Sequence, residues 1–287
     1  MFDKKIKEIV IKEVAPRDGL QNEKKLSMEV RREFVEKLVD AGIKHIEVGS
    51  FANPQKVPQM EGTKELIKQL APLKSTSNFF ALVFTPEGMK EAVQAGIGEV
   101  SVLVAASETF NNKNIGCTTE EGMKRVGAIT RIAGAKNARV RGYVGMAFGC
   151  PYEGEVLEEN VIRIAEKMRD MGCYEIVLAD TIGHATPSQV QKMIQRLKEN
   201  FDLNGIGMHF HDTTGQALSN TITSLENGVT IFDSSTGGLG GCPFAKGAKG
   251  NISTEEMVHL AQTLGVDCGI EPDKLRIASS FIKEKLQ

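Results

Sequence analysis

Short apolar segments alternate with longer amphipathic segments along almost the whole chain, and this alternation most constrains the fold. The apolar segments predict eight β-strands: Glu8–Val14, His45–Gly49, Asn78–Phe84, Glu99–Val104, Arg139–Ala147, Tyr174–Ala179, Gly205–His211 and Thr230–Asp233. The amphipathic segments predict helices at Met28–Ala41, Gly62–Leu70, Pro86–Ala95, Thr119–Ala135, Glu155–Met171, Pro187–Glu199, Ala217–Asn227 and Ser253–Leu264. Apolar residues recur in them at helical spacing, as at Val30, Phe34, Leu38 and Ala41.

Eight strand–helix units in succession favour a closed (β/α)8 barrel, known as a TIM barrel. A doubly wound open sheet is the alternative, since pattern alone does not show that a sheet closes. Four segments, DAGI, QAGI, DMGC and ENGV, place a glycine between a helix and the next strand, where it supplies a left-handed cap. We expect one domain, residues 1–287, with a short C-terminal helical extension.

Composition and charge narrow the function classes. Hydrophobic residues make up 41% of the chain and charged residues 25%, which is ordinary for a globular protein with a large core. The net charge is only -2, so we expect no nucleic-acid partner. The sequence contains no apolar run of about 18 residues, so we expect no membrane span, and the N-terminus lacks the features of a signal peptide. Five scattered cysteines without a CxxC pair favour a reducing compartment, so we expect a cytoplasmic protein.

Polar side chains end several predicted strands, and in a parallel barrel such residues meet at the end where active sites lie. The strongest signal is His209-Phe210-His211, because residues two apart on a strand point to the same face and can bind one ion. Two histidines that only hydrogen-bond to neighbouring loops are the alternative, and the triplet alone does not decide between them. Asp18, at the end of another strand, favours the metal site.

A glycine-rich segment, GGLGGCPFAKGAKGN, runs from Gly237 to Asn251. It matches neither the phosphate-binding GxxxxGK[ST] spacing nor GxGxxG, which disfavours a nucleotide site. The segment contains Cys242, whose thiol would have a lowered pKa beside a metal or a cation. Taken alone, an isolated cysteine is more often a small buried apolar residue, and the other four cysteines keep that interpretation.

Three more charged residues at strand ends are candidates with open alternatives. Arg17 could stabilise a developing enolate oxygen, or it could form only a structural ion pair with Asp18. Glu47 and Asp180 could support a metal, or they could accept hydrogen bonds from loops.

Six segments closely resemble the 3-hydroxy-3-methylglutaryl-CoA lyase family, in the same order along the chain: APRDGLQNE, IEVGSF, VPQM, LADTIG, HFHDTTGQAL and GGLGGCPFAKGAKGN. RDG and HxHD are shared with a wider group of metal-dependent lyases and aldolases, whereas GLGGCP with the trailing GAxGN is more specific. The resemblance implies a TIM barrel that cleaves 3-hydroxy-3-methylglutaryl-CoA to acetoacetate and acetyl-CoA, as in leucine degradation and ketone-body formation. We also expect a homodimer.

The resemblance implies a role for each candidate residue. Mg²⁺ or Mn²⁺ would be bound by Asp18, His209, His211 and Asn251. Arg17 would neutralise the enolate oxygen of the thioester, and Cys242 would be the loop thiol that takes part in proton transfer. Glu47 and Asp180 match acidic positions in and around the family's active site. The catalytic residues implied are therefore Arg17, Asp18, Glu47, Asp180, His209 and Cys242.

Two other functions remain open from the sequence. A Claisen-type acyltransferase, such as isopropylmalate or homocitrate synthase, resembles this chain in RDG and HxHD. Those enzymes usually read RDGEQ where this chain has Gly19-Leu20-Gln21, and many carry a further C-terminal domain. A barrel that binds metal without catalysis is the second alternative. Every candidate site residue is present, which favours an enzyme.

Overall fold

A computed structural model describes residues 6–240 and 250–287 of the chain. Eight parallel strands close into a barrel in the order in which they occur, and the last strand pairs with the first. The strands are β1 Val10–Glu13, β2 His45–Ser50, β3 Asn78–Leu82, β4 Glu99–Ala105, β5 Arg139–Gly145, β6 Glu175–Asp180, β7 Ile206–Phe210 and β8 Ile231–Ser234. Closure excludes the open sheet and confirms the predicted TIM barrel.

Helices follow the strands around the barrel. They are α1 Met28–Asp40, α2 Thr63–Gln69, α3 Pro86–Gln94, α4 Glu108–Phe110, α5 Thr119–Gly134, α6 Glu158–Asp170, α7 Pro187–Leu197, α8 Ala217–Glu226, α9 Thr254–Leu264 and α10 Pro272–Leu286. Helix α10 is the predicted C-terminal extension, and it packs against α1. No helix in the described part of the chain combines the length and apolar character that crossing a membrane requires.

Local signals in the sequence begin and end these helices. Ser27 caps α1 by accepting the N–H of Val30, and Thr118 and Glu121 form a reciprocal capping box at the start of α5. The glycines predicted to lie between helices and strands all have positive φ: Gly42, Gly96, Gly172 and Gly228. Glycine adopts this conformation without the steric cost that a Cβ atom brings, so each one turns the chain back towards the barrel.

The predicted elements all exist, but several boundaries were wrong. Most predicted helices were one residue too long because a capping residue was counted as helical, as at Ser253, and the helix predicted from Gly62 to Leu70 included both of its caps. Strand β1 is shorter than Glu8–Val14 because Glu8 forms only an isolated bridge, with Asp267. Val14 precedes a π-helical turn that the sequence did not predict.

Charged side chains fill part of the barrel interior, and the apolar core lies between the sheet and the helices. Lys12 Nζ of β1 is 2.9 Å from Glu175 Oε2 of β6. Arg141 of β5 donates to Glu175, and its Nη2 is 2.6 Å from Asp233 Oδ1 of β8. The Lys12–Glu175 and Arg141–Asp233 pairs join strands that are not neighbours, whereas Arg141 and Glu175 lie on the adjacent strands β5 and β6. Pairing offsets part of the cost of burying the charges.

Candidate metal centre and active site

Three residues that could bind a metal ion meet at the carboxyl ends of β1 and β7. Asp18, His209 and His211 each offer one ligand atom, and these atoms lie within 4.8 Å of one another. All three residues are buried. His209 is in β7 and His211 lies just beyond it, so the structure brings together the two histidines and the carboxylate that the sequence singled out.

A π-helical turn, Ala15–Gly19, places Asp18 at this site. The carbonyl oxygen of Val14 accepts the N–H of Asp18 at 2.7 Å and that of Gly19 at 3.2 Å, which makes the turn wider than an α-helical one. Gly19 is needed because a Cβ atom there would lie 2.9 Å from the Cβ of Leu239. The turn is therefore packed directly against the segment that follows β8.

Arg17 lies between two carboxylates. Its Nη1 is 2.6 Å from Asp18 Oδ1, and its Nε donates to Glu47 Oε2 at 2.6 Å. Burial opposes ionisation of Asp18, but the charge of Arg17 together with the contacts of His211 and His209 lowers the pKa of Asp18 well below its usual range. Asp18 thus stays ionised, as a carboxylate that binds a metal must be.

Asp233 is a residue of the site that the sequence reasoning missed. Its Oδ2 lies 3.1 Å from His209 Nδ1 and accepts the hydroxyl of Tyr143 at 2.6 Å. With Nδ1 donating to Asp233, Nε2 of His209 carries the lone pair that can bind an ion. The sequence did contain a signal for Asp233, because it is an acid within the apolar strand IFDS, just as Glu47 is an acid within IEV.

Asn251 lies beside Asp18 in the same group of residues. Its Nδ2 donates to Asp18 Oδ2 at 2.8 Å and to the carbonyl oxygen of Leu239 at 3.0 Å. Rotating the amide by half a turn would present Oδ1 to an ion beside Asp18. A Cβ atom at Gly240 would lie 2.4 Å from Asn251 Nδ2, so only glycine leaves room for this amide. Two imidazoles, a carboxylate and an amide oxygen are donors that suit a divalent cation, and these residues fit one.

Glu47 and Asp180 both act as hydrogen-bond acceptors here. Glu47 is buried and accepts the hydroxyl of Ser101 as well as Nε of Arg17, and burial raises its pKa against these contacts. Asp180 accepts the backbone N–H groups of His184 and Ala185, at 3.1 and 2.9 Å, and so orders the loop after β6. The contacts of Glu47 fix Arg17, whereas those of Asp180 fix a loop. A catalytic role for either stays a prediction.

Cys242 lies within residues 241–249, outside the described residues. Its predicted part in proton transfer therefore stays a prediction.

A cleft of about 1070 Å³ opens over the candidate metal ligands. Arg17, Tyr143 and Ser50 line it, and so do two further cationic residues, Lys56 and Arg125. The volume is at the upper end for small-molecule sites, which suits a long substrate.

Comparison with known proteins decides the family. A family model described as HMGL-like matches residues 8–282. The chain belongs to this family. The resemblance predicted from the sequence motifs is confirmed.

The relatives of this HMGL-like protein match over almost its whole length. Human mitochondrial hydroxymethylglutaryl-CoA lyase is 43% identical over 281 residues, which are 98% of this chain and 86% of the human one. The crystal structure of Bacillus subtilis HMG-CoA lyase has a TM-score of 0.95 at 39% identity and covers 98% of this chain and 94% of its own. The Acinetobacter baumannii HMG-CoA lyase, solved with coenzyme A and 3-methylmalate, has a TM-score of 0.92 at 32% identity, with 97% and 91% covered.

Proposed function

We propose that this HMGL-like protein cleaves 3-hydroxy-3-methylglutaryl-CoA to acetoacetate and acetyl-CoA, using Mg²⁺ or Mn²⁺. The observation that carries the proposal is the buried group of Asp18, His209 and His211, with ligand atoms within 4.8 Å of one another, in the lining of a large cleft. The names of the similar proteins support the substrate. The coenzyme A in the Acinetobacter complex supports an acyl-CoA as the class of ligand.

The cation would be held by Asp18, His209, His211 and Asn251. Bound there, a divalent cation supplies a Lewis acid for the hydroxyl and carbonyl oxygens of the substrate. Asp233 orients His209 through Nδ1, which keeps Nε2 directed at the site. Asp18 remains a carboxylate because Arg17 lies against it.

Arg17 is the residue that we propose stabilises the enolate of acetyl-CoA. Glu47 and Asp18 hold its Nε and Nη1, so the plane of the guanidinium is fixed before substrate binds. Its Nη2 is then the nitrogen that donates to the thioester oxygen as negative charge develops on it. A donor already in place contributes more to the transition state than to the ground state, which favours turnover.

Proton transfer completes the reaction. The tertiary hydroxyl loses its proton beside the ligand group, where the carboxylate of Asp18 would accept it. We propose that Cys242 takes part in protonating the enolate carbon, since a thiol is a stronger acid than a hydroxyl. Asp180 orders the loop after β6 at the same end of the barrel.

Several wider proposals accompany this activity. We propose a single domain spanning residues 1–287, a homodimer, no nucleic-acid or membrane partner, and a part in leucine degradation and ketone-body formation. A cytoplasmic location is proposed from the cysteine pattern alone, whereas the human relative is named mitochondrial.

The experiment that tests the activity compares two reactions of the purified protein. Acetoacetate release from 3-hydroxy-3-methylglutaryl-CoA is measured beside condensation of acetyl-CoA with a 2-oxo acid, both in the presence of Mg²⁺. We expect acetoacetate release and no condensation. Condensation without acetoacetate release would favour the acyltransferase, and neither reaction would favour a barrel that only binds metal.

A further inference from the structure

Glu13, the last residue of β1, has a fully buried side chain that the proposed reaction does not use. Its Oε1 accepts the N–H of Ala15 at 2.8 Å and that of Thr236 at 2.9 Å. Its Oε2 accepts the hydroxyl of Thr236 at 2.5 Å and that of Thr254 at 2.7 Å. One carboxylate therefore joins the segment that follows β1 to two segments that lie 223 and 241 positions away in the sequence.

Two of these segments lead directly to candidate metal ligands. Ala15 begins the π-helical turn Ala15–Gly19, which contains Asp18. Thr254 begins α9, three residues after Asn251. The distance between the carboxylate of Asp18 and the amide of Asn251 thus depends on how β1 and the start of α9 are held together.

The third segment closes the gap between them. Thr236 begins the turn Thr236–Gly238, which leads to Gly240. This segment packs closely against both ligand-bearing segments, because a Cβ atom at Gly19 or Gly240 would lie less than 3 Å from a neighbouring side chain. Such packing leaves little room for the segments to shift unless a bond that holds them is lost.

A carboxylate at this buried position is energetically unfavourable. The four groups that donate to it are neutral, and burial raises the pKa of Glu13 to about 7 although the bonds from Thr236, Thr254 and Ala15 lower it. A buried carboxylate without a cation costs stability, while its two oxygens can accept all four hydrogens at once. An apolar residue of similar size would avoid that cost but would leave the N–H groups of Ala15 and Thr236 without this acceptor.

We propose that Glu13 is a positioning residue that fixes Asp18 relative to Asn251 through Ala15, Thr236 and Thr254. Its four donors surround it, so it acts through the segments that it holds and contacts neither ion nor substrate. The inference rests on the proposed function to the extent that the site binds a divalent cation. Losing Glu13 should therefore weaken metal binding in a protein that is still folded.

The test measures Mn²⁺ binding to substrate-free protein by the electron paramagnetic resonance signal of free Mn²⁺, so it does not depend on turnover. The variants are Glu13→Leu, Glu13→Gln and the double variant Thr236→Val/Thr254→Val, which removes two of the four donors without changing side-chain volume much. Thr221→Val is the matched control, because its buried hydroxyl bonds to the carbonyl oxygen of Ala217 within α8. Circular dichroism establishes that each variant is folded.

We expect the Kd for Mn²⁺ to rise about 10- to 100-fold in Glu13→Leu, the range found when a group supporting a metal ligand is lost. The double threonine variant should show a smaller rise in the Kd for Mn²⁺, and this rise tests the inference if Glu13→Leu does not fold. Glu13→Gln should restore most of the affinity, since its carbonyl oxygen can accept the two N–H groups and its amide can donate to the two hydroxyls. Thr221→Val should lose stability and keep its Mn²⁺ affinity.

Folded threonine variants with the affinity of the wild-type protein would overturn the inference while leaving the proposed function intact. Equal losses in the double variant and in Thr221→Val would also overturn it, because the effect would then be general destabilisation. A wild-type protein that binds no Mn²⁺ would contradict the proposed function and this inference with it.

Discussion

Two charged regions lie within the same barrel, and they are built in opposite ways. The inner charge cluster, Lys12, Glu99, Arg141 and Glu175, pairs each cation with acids: Lys12 Nζ is 2.9 Å from Glu175 and 3.6 Å from Glu99. The candidate metal centre instead brings ligand atoms of Asp18, His209 and His211 within 4.8 Å of one another, with Asn251 donating to Asp18. Charges that neutralise one another hold strands together, whereas converging donors need an ion to complete them.

Asp233 connects the two regions. One carboxylate oxygen accepts Nη2 of Arg141 in the inner charge cluster, and the other lies against Nδ1 of His209 in the metal centre. Burial opposes ionisation of Asp233, but the charge and hydrogen bonds of Arg141 together with the contact of His209 hold the pKa of Asp233 well below its usual range. The inner charge cluster thereby helps to keep the acceptor of His209 ionised.

Among substitutions in the two regions and the residues beside them, we expect the largest effect at Arg17, and we expect it on turnover. Arg17→Gln should lower kcat about 10²- to 10³-fold, the usual effect of losing one donor to a developing oxyanion. Arg17→Lys keeps the charge but loses the planar fork that binds Glu47 and Asp18, so it should recover only part of the rate. Steady-state kinetics at saturating substrate, with Mn²⁺ titration of each variant, check this. A defect confined to KM would make Arg17 a binding residue.

The next effect should be on metal affinity, at the residue that joins the two regions. Asp233→Asn removes the charge that orients His209, and we expect the Kd for Mn²⁺ to rise about 10- to 100-fold. Glu175→Gln is the control, since it removes another acid that binds Arg141 but does not contact His209. Both variants should unfold at lower temperature, and only Asp233→Asn should lose affinity. Equal affinity losses would contradict the division into two regions.

Glu13 gives a prediction about stability and pH. Its pKa is raised to about 7 in the folded protein, so the folded state favours the protonated acid. The resulting stability is present below the ordinary pKa of the acid, near 4.5, and is lost as the pH rises to about 7. Glutamine does not titrate, so Glu13→Gln should gain stability over wild type across that range, on the order of 3 kcal/mol. Urea unfolding at pH 4.5 and pH 8 measures it, and a pH-independent difference would contradict it.

The smallest effect is expected at the edge of the inner charge cluster. Tyr174 donates its hydroxyl to Glu99 at 2.7 Å and accepts Lys12 Nζ at 2.9 Å. Tyr174→Phe should lower the free energy of unfolding by about 1 to 3 kcal/mol, because two buried charged groups lose a partner. Mn²⁺ affinity and kcat should not change. Calorimetry beside a Mn²⁺ titration checks both, and a loss of affinity would mean that the two regions are not separate.

The barrel and the candidate ligands were predictable from local signals. The hydrophobic period, the capping residues and the glycines predicted the eight strand–helix units. The spacing of His209 and His211 predicted that both lie on one face. The supporting residues were not predictable in this way. Glu13 meets Thr236 across 223 positions, and a wide π-helical turn has no period that the sequence could reveal.

Asp233 was partly visible in the sequence. An acid inside an apolar strand could be noticed, but its role depends on the register that places β8 beside β7, with Asp233 opposite His209. That register follows from closure of the whole barrel and not from either strand alone. The inner charge cluster was hidden for the same reason, since Lys12 pairs with Glu99 and Glu175 on strands that are not neighbours of its own.

The most direct test of the account is acetoacetate release from 3-hydroxy-3-methylglutaryl-CoA by protein from which metal has been removed with a chelator. The converging donors of Asp18, His209 and His211 predict that this protein is inactive and that added Mg²⁺ or Mn²⁺ restores its activity. Asp18→Ala, which removes one ligand, should not be restored by the same concentration of metal. Full acetoacetate release by the exhaustively chelated protein would contradict the account.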